Sequence, residues 1–270
     1  MHIDSHFSLA NSSVEEADYV IYGIPYDSTQ SYRCGSRFAP AAIRQASWNL
    51  ESYSVYFSFD LSGVRFCDAG NVNCDGSFDK IARRVEEFVY GIKAFPIALG
   101  GEHTVSYAAS KKFRDATFLS LDAHFDLRDV FDDSKLSHAC VVRRIYEEGS
   151  NVVIAGVRSG SVEDVEFAKR NGIPFFPPWK FEIEEIVKEL GDEVYLSVDM
   201  DFFDPSFAPG VSSPEPFGLT PLHFLKLLER IADRIVALDV VEVIPDENHV
   251  TQTLAAKLVF EAVAARETKI

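Results

Sequence analysis

The sequence predicts an α/β protein, a three-layer α/β/α sandwich built on a mainly parallel sheet. Three observations carry the prediction. Short apolar, β-branched runs recur along the chain, segments of helical period lie between them, and the runs lack the polar alternation of a strand with one wet face. The runs are 18–24 (DYVIYGI), 64–68 (VRFCD), 95–99 (FPIAL), 117–122 (TFLSLD), 152–156 (VVIAG), 194–200 (VYLSVDM) and 235–241 (IVALDVV).

Helical period is clearest at 79–92, where Ile81, Val85, Phe88 and Val89 form one stripe, and at 220–232, with Leu222, Phe224, Leu225 and Leu228. Thr220 is expected to cap the second helix and Pro221 to open it, because the first turn does not need proline's missing N–H. A last helix is expected at 251–266, with Leu254, Leu258 and Val259 on a common side. The proline-rich patches 174–178 and 205–221 are expected to be loops, since proline fixes φ and removes a donor.

With 270 residues, 47% of them hydrophobic, the chain can bury a large core. No low-complexity linker or charge block divides it, so residues 1–270 are expected to form one domain. A net charge of −16 argues against a protein that neutralises nucleic-acid phosphates and suits cationic ligands instead. Cys34, Cys67, Cys74 and Cys140 show no paired CxxC spacing and are expected to be reduced structural thiols. The amino terminus lacks a basic segment followed by an apolar run, and no apolar stretch reaches membrane-spanning length, so a cytoplasmic protein without a membrane partner is expected.

In parallel sheets ligands gather outside the carboxyl ends of the strands, and three strand ends here carry unusual residues. FPIAL opens into Gly100-Gly101-Glu102-His103-Thr104, where the glycines permit a tight turn that delivers His103 to the rim. TFLSL ends in Asp122-Ala123-His124-Phe125-Asp126, and VYLSV in Asp199-Met200-Asp201. In an extended segment alternate side chains point the same way, so each set is expected to converge on one site. Carboxylates at the end of an apolar strand are costly to bury unless hydrogen-bonded, protonated or neutralised by cations. Taken singly, His103 reads as a polar loop residue and Asp122 as a helix cap. Taken together, two imidazoles and four carboxylates exceed what one cation needs, and an oxygen-rich set without thiolates suits two Mn(II) ions, with Zn, Co, Ni and Fe as alternatives.

At these residues the sequence strongly resembles the ureohydrolases, the family of arginases, agmatinases and formiminoglutamases. The matching motifs are GGEHT at 100–104, LDAHFD at 121–126 and SVDMDFFDP at 197–205, with further likeness at 22–47, 208–220 and 237–243. The amino-terminal part looks most like agmatinases. The resemblance implies an arginase-like fold with an eight-stranded parallel sheet and a homo-oligomer, a trimer or hexamer. It implies one manganese on His103, Asp122, Asp126 and Asp199, and another on Asp122, His124, Asp199 and Asp201. It places Glu242 where the family grips the guanidinium and His138 where it shuttles protons, although Ala139 and Cys140 depart from the His-Gly common at that point.

The implied reaction is hydrolysis of a guanidine, agmatine to putrescine and urea, by hydroxide bridging the two metals. Asp126 would take the proton and pass it to the leaving amine. Two divalent cations against four carboxylates, a hydroxide and Glu242 leave the site with a charge of about −2, which suits a guanidinium and repels a phosphate ester. In the loop 127–139, Asp129, Asp132 and Asp133 would favour an amine-bearing tail, while Arg128 would accept a carboxylate or pair with a neighbouring Asp. Aminopropylagmatine, arginine, guanidinobutyrate and formiminoglutamate are alternative substrates, and a deacetylase-like amide hydrolase or a non-catalytic oligomeric relative are readings from other classes. His2, His6, His223 and His249 lack a ligand context.

Overall fold

The structure, a computed structural model, describes residues 5–268; His2 lies outside them. In chain order its strands are β1 (Tyr19–Gly23), β2 (Tyr53–Ser54), β3 (Phe59–Asp60), β4 (Phe66–Asn71), β5 (Phe95–Leu99), β6 (Thr117–Leu121), β7 (Val152–Ala155), β8 (Phe175–Phe176), β9 (Val194–Asp199) and β10 (Ile235–Val241). The α-helices are α1 (Ala39–Ser47), α2 (Phe78–Gly91), α3 (Val105–Ala109), α4 (Val141–Glu147), α5 (Val162–Asn171), α6 (Ile183–Lys188), α7 (Pro221–Ile231) and α8 (Val250–Thr268).

Eight strands form one parallel sheet in the order β4-β1-β5-β10-β9-β6-β7-β8, and β2 and β3 form a separate antiparallel pair. The register aligns Ile21, Ile97, Leu238, Leu196, Leu119 and Val153 in a row across six strands. That row belongs to one apolar cluster, with α1, α6, α7 and α8; their strand neighbours Val20, Ala98, Tyr195, Phe118 and Ile154 belong to a second, with α2, α3, α4 and α5. Alternate residues of each strand thus feed opposite cores, which is why the runs read as continuously apolar. Each buried Val, Leu, Ile or Phe side chain among them contributes about 1.5–3 kcal/mol through burial.

The seven expected strands all form, with β4 displaced towards Asn71. The eighth, β8, lies inside the proline-rich patch read as a loop. It is a two-residue edge strand on β7, too short to show a period, and an edge tolerates flanking prolines that donate nothing. In α7 the buried stripe is Phe224, Leu227, Leu228 and Ile231, whereas Leu222 is exposed, so the expected stripe is rotated. Pro221 opens that helix, and His223 Nδ1 accepts from the Thr220 N–H at 3.2 Å. Helix α8 is buried on nearly all sides instead of along one stripe, since it packs between α1, α7 and the β2–β3 pair. Among the described residues no helix is long and apolar enough to cross a membrane. All four cysteines are free, with Cys67 and Cys140 buried.

The four strands β5, β10, β9 and β6 are adjacent at the centre of the sheet. Their carboxyl ends carry Gly100–His103, Glu242, Asp199–Asp201 and Asp122–Asp126 respectively. Parallel pairing therefore brings segments far apart in the chain to one rim.

Candidate functional site

The turn after β5 interlocks with the end of β10. Gly100 N–H donates to Val240 O and Glu242 N–H to Gly101 O, both at 2.8 Å. At Gly101 a Cβ would collide with the backbone carbonyl of Tyr26, so the close approach requires glycine. Glu242 sits in the left-handed region at φ 62°. Its carboxylate is held at both oxygens: Oε1 accepts from His103 N–H and Oε2 from Gln30 Nε2, each at 2.7 Å.

The remaining candidates converge on the same place, but not as extended segments. β6 stops at Leu121, and Asp126 adopts φ 53°; β9 stops at Asp199, and Met200–Phe202 is a turn of 3-10 helix. Alternation along a strand is therefore not what aims these side chains. Short turns do so, closed by Asp122 Oδ1 accepting from His124 N–H at 2.6 Å and Asp199 Oδ1 accepting from Asp201 N–H at 2.9 Å. Aspartate tolerates the left-handed conformation better than most side chains do.

His103 Nδ1 lies 3.0 Å from Asp122 Oδ2, 3.0 Å from Asp126 Oδ2 and 3.5 Å from Asp199 Oδ2. His124 Nδ1 lies 2.9 Å from Asp201 Oδ2 and 3.6 Å from Asp122 Oδ1. Two groups have ligand atoms mutually within 4.8 Å: His103, Asp122 and Asp199, and Asp122, His124 and Asp201. They share Asp122. Both His103 Nδ1 and Asp122 Oδ2 are buried without an aligned hydrogen-bond partner, an arrangement that costs free energy unless a cation satisfies both.

The electrostatics point the same way. Burial, then the charges of Asp201 and Asp122, holds the Asp199 carboxyl well above the usual range. Burial and the charge of Asp122 push Asp126 up to about 7. Burial works to lower His103 and His124, but their carboxylate neighbours overcome it and raise both. The donor set is short of positive charge, and its imidazole and carboxylate chemistry fits divalent metal.

Behind His103 stands a buried chain of hydroxyls. His103 Nε2 is 3.1 Å from Ser197 Oγ, which donates to Asp239 Oδ1 at 2.6 Å, and Tyr195 O–H donates to Asp239 Oδ2 at 2.8 Å. This order has Nε2 donating to Ser197 and leaves the Nδ1 lone pair for the cluster. His103, His124, Asp126, Asp199, Asp201, His138 and Glu242 line one cavity of about 270 Å³.

A model of the arginase family matches residues 17–265. The chain belongs to the arginase family. Among relatives of this arginase-family protein, an agmatinase of Pyrococcus horikoshii is 38% identical over 93% of each chain. An N(1)-aminopropylagmatine ureohydrolase of Thermococcus kodakarensis is 36% identical over 93% of this chain and 91% of its own. The crystal structure of agmatine ureohydrolase of Thermoplasma volcanium superposes with a TM-score of 0.92 at 36% identity, covering 99% of this chain and 96% of that one. The fold is thus the arginase fold with its eight-stranded parallel sheet, and the protein is an agmatinase-like ureohydrolase.

In this arginase-family site His138 lines the cavity, its Nδ1 3.3 Å from Thr29 Oγ1 and its Nε2 3.5 Å from Ser31 Oγ. Burial, then the nearby His124 and His103, lowers it to about 4. Asp129 is turned away. Its carboxylate takes Arg144 at 2.9 Å and Arg143 at 3.5 Å, and it does not line the cavity. Arg128 does line it, with its guanidinium over the Phe131 ring and its Nε 4.0 Å from Asp164 Oδ2, not beside one of the acids at 129–133. Burial pushes the Cys140 thiol up, in keeping with a packed thiol. His6, His223 and His249 are outside both metal-ligand groups; His223 caps α7 and His249 contacts Gln252 at 3.0 Å.

Sequence reasoning missed several polar residues. Thr29 and Gln30 lie on the amino-terminal loop, and Thr29 donates to buried Glu102 at 2.6 Å. Asp164 caps α5 and lines the cavity. Arg158 gathers the carbonyls of Asp201 and Glu215, at 2.6 and 2.8 Å, fixing two site loops together. The orphan status of Asp239 inside the apolar run ALDVV was a signal that could have found the chain behind His103.

Proposed function

We propose that this arginase-family protein is a manganese-dependent agmatinase that hydrolyses agmatine to putrescine and urea. One observation carries the reading: Glu242, with both oxygens anchored, lines the same small cavity as His103, His124, Asp126, Asp199 and Asp201. The Pyrococcus horikoshii and Thermoplasma volcanium relatives, which bear agmatinase or agmatine ureohydrolase names, support the choice of substrate. His103, Asp122, Asp126 and Asp199 would hold one Mn(II), and Asp122, His124, Asp199 and Asp201 the other; the two clusters sharing Asp122 support that division. When bound, the pair of cations supplies Lewis acidity that lowers the pKa of water at the site.

The chain's own residues do the rest. Glu242 faces a cavity rimmed with acids and pairs with the guanidinium, fixing its plane. Hydrolysis adds water to the guanidinium carbon and expels an amine. Asp126, which lines the cavity beside His103, takes a proton from the water and delivers it to the leaving nitrogen. His138, a neutral imidazole between two hydroxyls, passes protons between the cavity and solvent. Arg158, bonded to the carbonyls of Asp201 and Glu215, holds the two loops at the cluster in place.

The same reading takes residues 1–270 as one domain of a cytoplasmic homo-oligomer, a trimer or hexamer. A second substrate, aminopropylagmatine, is favoured by the Thermococcus kodakarensis relative, whose name states that activity. The test is product release from agmatine, aminopropylagmatine, arginine, guanidinobutyrate, guanidinopropionate and formiminoglutamate, each with and without Mn(II). Urea from agmatine only with the metal is the expected result; no urea from any guanidine overturns the reading.

A further inference from the structure

Glu102 stands inside the turn after β5, fully buried, and belongs to neither metal-ligand group. Three donors converge on its carboxylate: Thr29 Oγ1 and Thr104 Oγ1 on Oε1, each at 2.6 Å, and Thr29 N–H on Oε2 at 2.7 Å. Thr29 in turn reaches His138, whose backbone N–H donates to Thr29 Oγ1 at 3.1 Å and whose Nδ1 lies 3.3 Å from the same oxygen. A hydroxyl has one hydrogen and two lone pairs. The hydrogen of Thr29 goes to Glu102, and Thr104, 3.4 Å away, has already given its own to the same carboxylate. Both lone pairs of Thr29 are therefore left to accept, one from the His138 N–H and one from Nδ1. Burial, then the nearby His124 and His103, keeps the His138 ring neutral, with a single N–H. A hydrogen on Nδ1 completes the set, whereas a hydrogen on Nε2 would turn the Nδ1 lone pair against that of Thr29.

We propose that Thr29, its hydrogen claimed by Glu102, is a positioning residue that holds His138 in the Nδ1–H form, so that Nε2 is the nitrogen that takes up and releases protons. This rests on the reading of His138 as the proton carrier of a guanidine hydrolase. Nε2 lies 3.5 Å from Ser31 Oγ, and Ser31 is exposed and lines the cavity, so a proton on Nε2 has a hydroxyl beside it that opens to solvent. Its lone pair takes a proton to give the imidazolium, and the same nitrogen gives it up again; the Nδ1 hydrogen stays on Thr29 throughout. The Phe131 ring, edge-on to His138 with 5.3 Å between centroids, holds the imidazole plane while this happens. An acid in the middle of a metal-binding turn thus binds no metal because its hydrogen bonds run the other way, through the amino-terminal loop to His138.

NMR of the metal-free protein, labelled with heavy nitrogen at histidine and recorded at mildly alkaline pH, reads which ring nitrogen bears the hydrogen, and His138→Asn identifies the signal. Wild type and Thr29→Ser are expected to show Nδ1–H. Thr29→Val, which keeps the shape of threonine without the hydroxyl, is expected to shift towards Nε2–H. In the manganese-loaded protein Thr29→Val should lose about 10- to 100-fold in kcat for agmatine with KM within about threefold, and Thr29→Ser should recover most of the loss. A hydrogen on Nε2 in the wild type overturns the proposal whatever the variants do, so the test stands even if Thr29→Val does not fold. Unchanged kcat or an unchanged tautomer in Thr29→Val also overturns it, and leaves the Thr29 backbone, which is near the same ring, as the group that holds it. Absence of urea from every guanidine, with Nδ1–H present in the wild type and lost in Thr29→Val, sinks the hydrolase reading and supports the Glu102–Thr29–His138 arrangement.

Discussion

Replacing Glu242 by glutamine separates charge from shape at the wall proposed to face the guanidinium. The amide can keep the local geometry. Its oxygen still accepts from His103 N–H, and its nitrogen would meet Gln30, whose own Oε1 is buried without a partner and becomes the acceptor after a flip of that amide. Burial, then the charge of Glu102, pushes the Glu242 carboxyl up to about 8, so the ionised side chain burdens the metal-free fold and its neutral replacement does not. Stability of the metal-free variant is therefore expected to match or slightly exceed wild type. The reaction is expected to suffer, because a buried cationic group loses its charged partner at about 3–4 kcal/mol, or about 10²- to 10³-fold in kcat/KM for agmatine. Urea release at saturating Mn(II), paired with a thermal melt of each metal-free protein, measures both quantities. A variant within threefold of wild-type kcat/KM would refute the assigned role. A melting temperature lowered by more than about 5 °C would show that shape rather than charge had been removed.

Three further outcomes are expected. Asp126 and Glu242 have carboxyls raised to about 7 and about 8, so the metal-free fold binds protons that the unfolded chain has lost. Its stability should fall as pH rises from about 4 to 8, affinity for Mn(II) should climb between pH 6 and 8, and calorimetry in two buffers should detect proton release; pH-independent binding would contradict this. Gly101→Ala places a methyl group against the Tyr26 carbonyl and should cost about 1–3 kcal/mol, with kcat reduced more than tenfold because His103 and Glu242 hang on that turn; a wild-type rate would argue against it. Phe202→Ala removes a fully buried ring packed on Phe181 and Phe203, and should cost about 3–5 kcal/mol, lowering the melting temperature by about 10 °C in calorimetry.

The core strands were legible because each is buried on both faces, which leaves a continuous apolar run, and β5 and β10 appear with the same bounds read from sequence. β8 was not, since two residues at a sheet edge carry no period and their prolines signal a loop. Convergence of His103, Asp122, His124, Asp126, Asp199 and Asp201 was legible from where the apolar runs stop, but the means was not. Left-handed backbone at Asp126 and the 3-10 turn at Met200–Phe202 do the aiming, and neither conformation is written in alternate spacing. Asp164 escaped notice because a helix-cap acid looks the same in sequence whether or not the residue lines a cavity. Asp129 drew attention by its place in the loop, and the arginines of α4 that neutralise it lie on its own side of the fold, outside the cavity.

Diffraction from crystals grown with Mn(II), recorded at the manganese absorption edge, bears most directly on the paired-cation site. Two anomalous peaks about 3.5–4 Å apart are expected, one against His103 and one against His124, with Asp122 reaching both. A single peak, or manganese bound away from these six side chains while they remain hydrogen-bonded to one another, would contradict the dinuclear assignment.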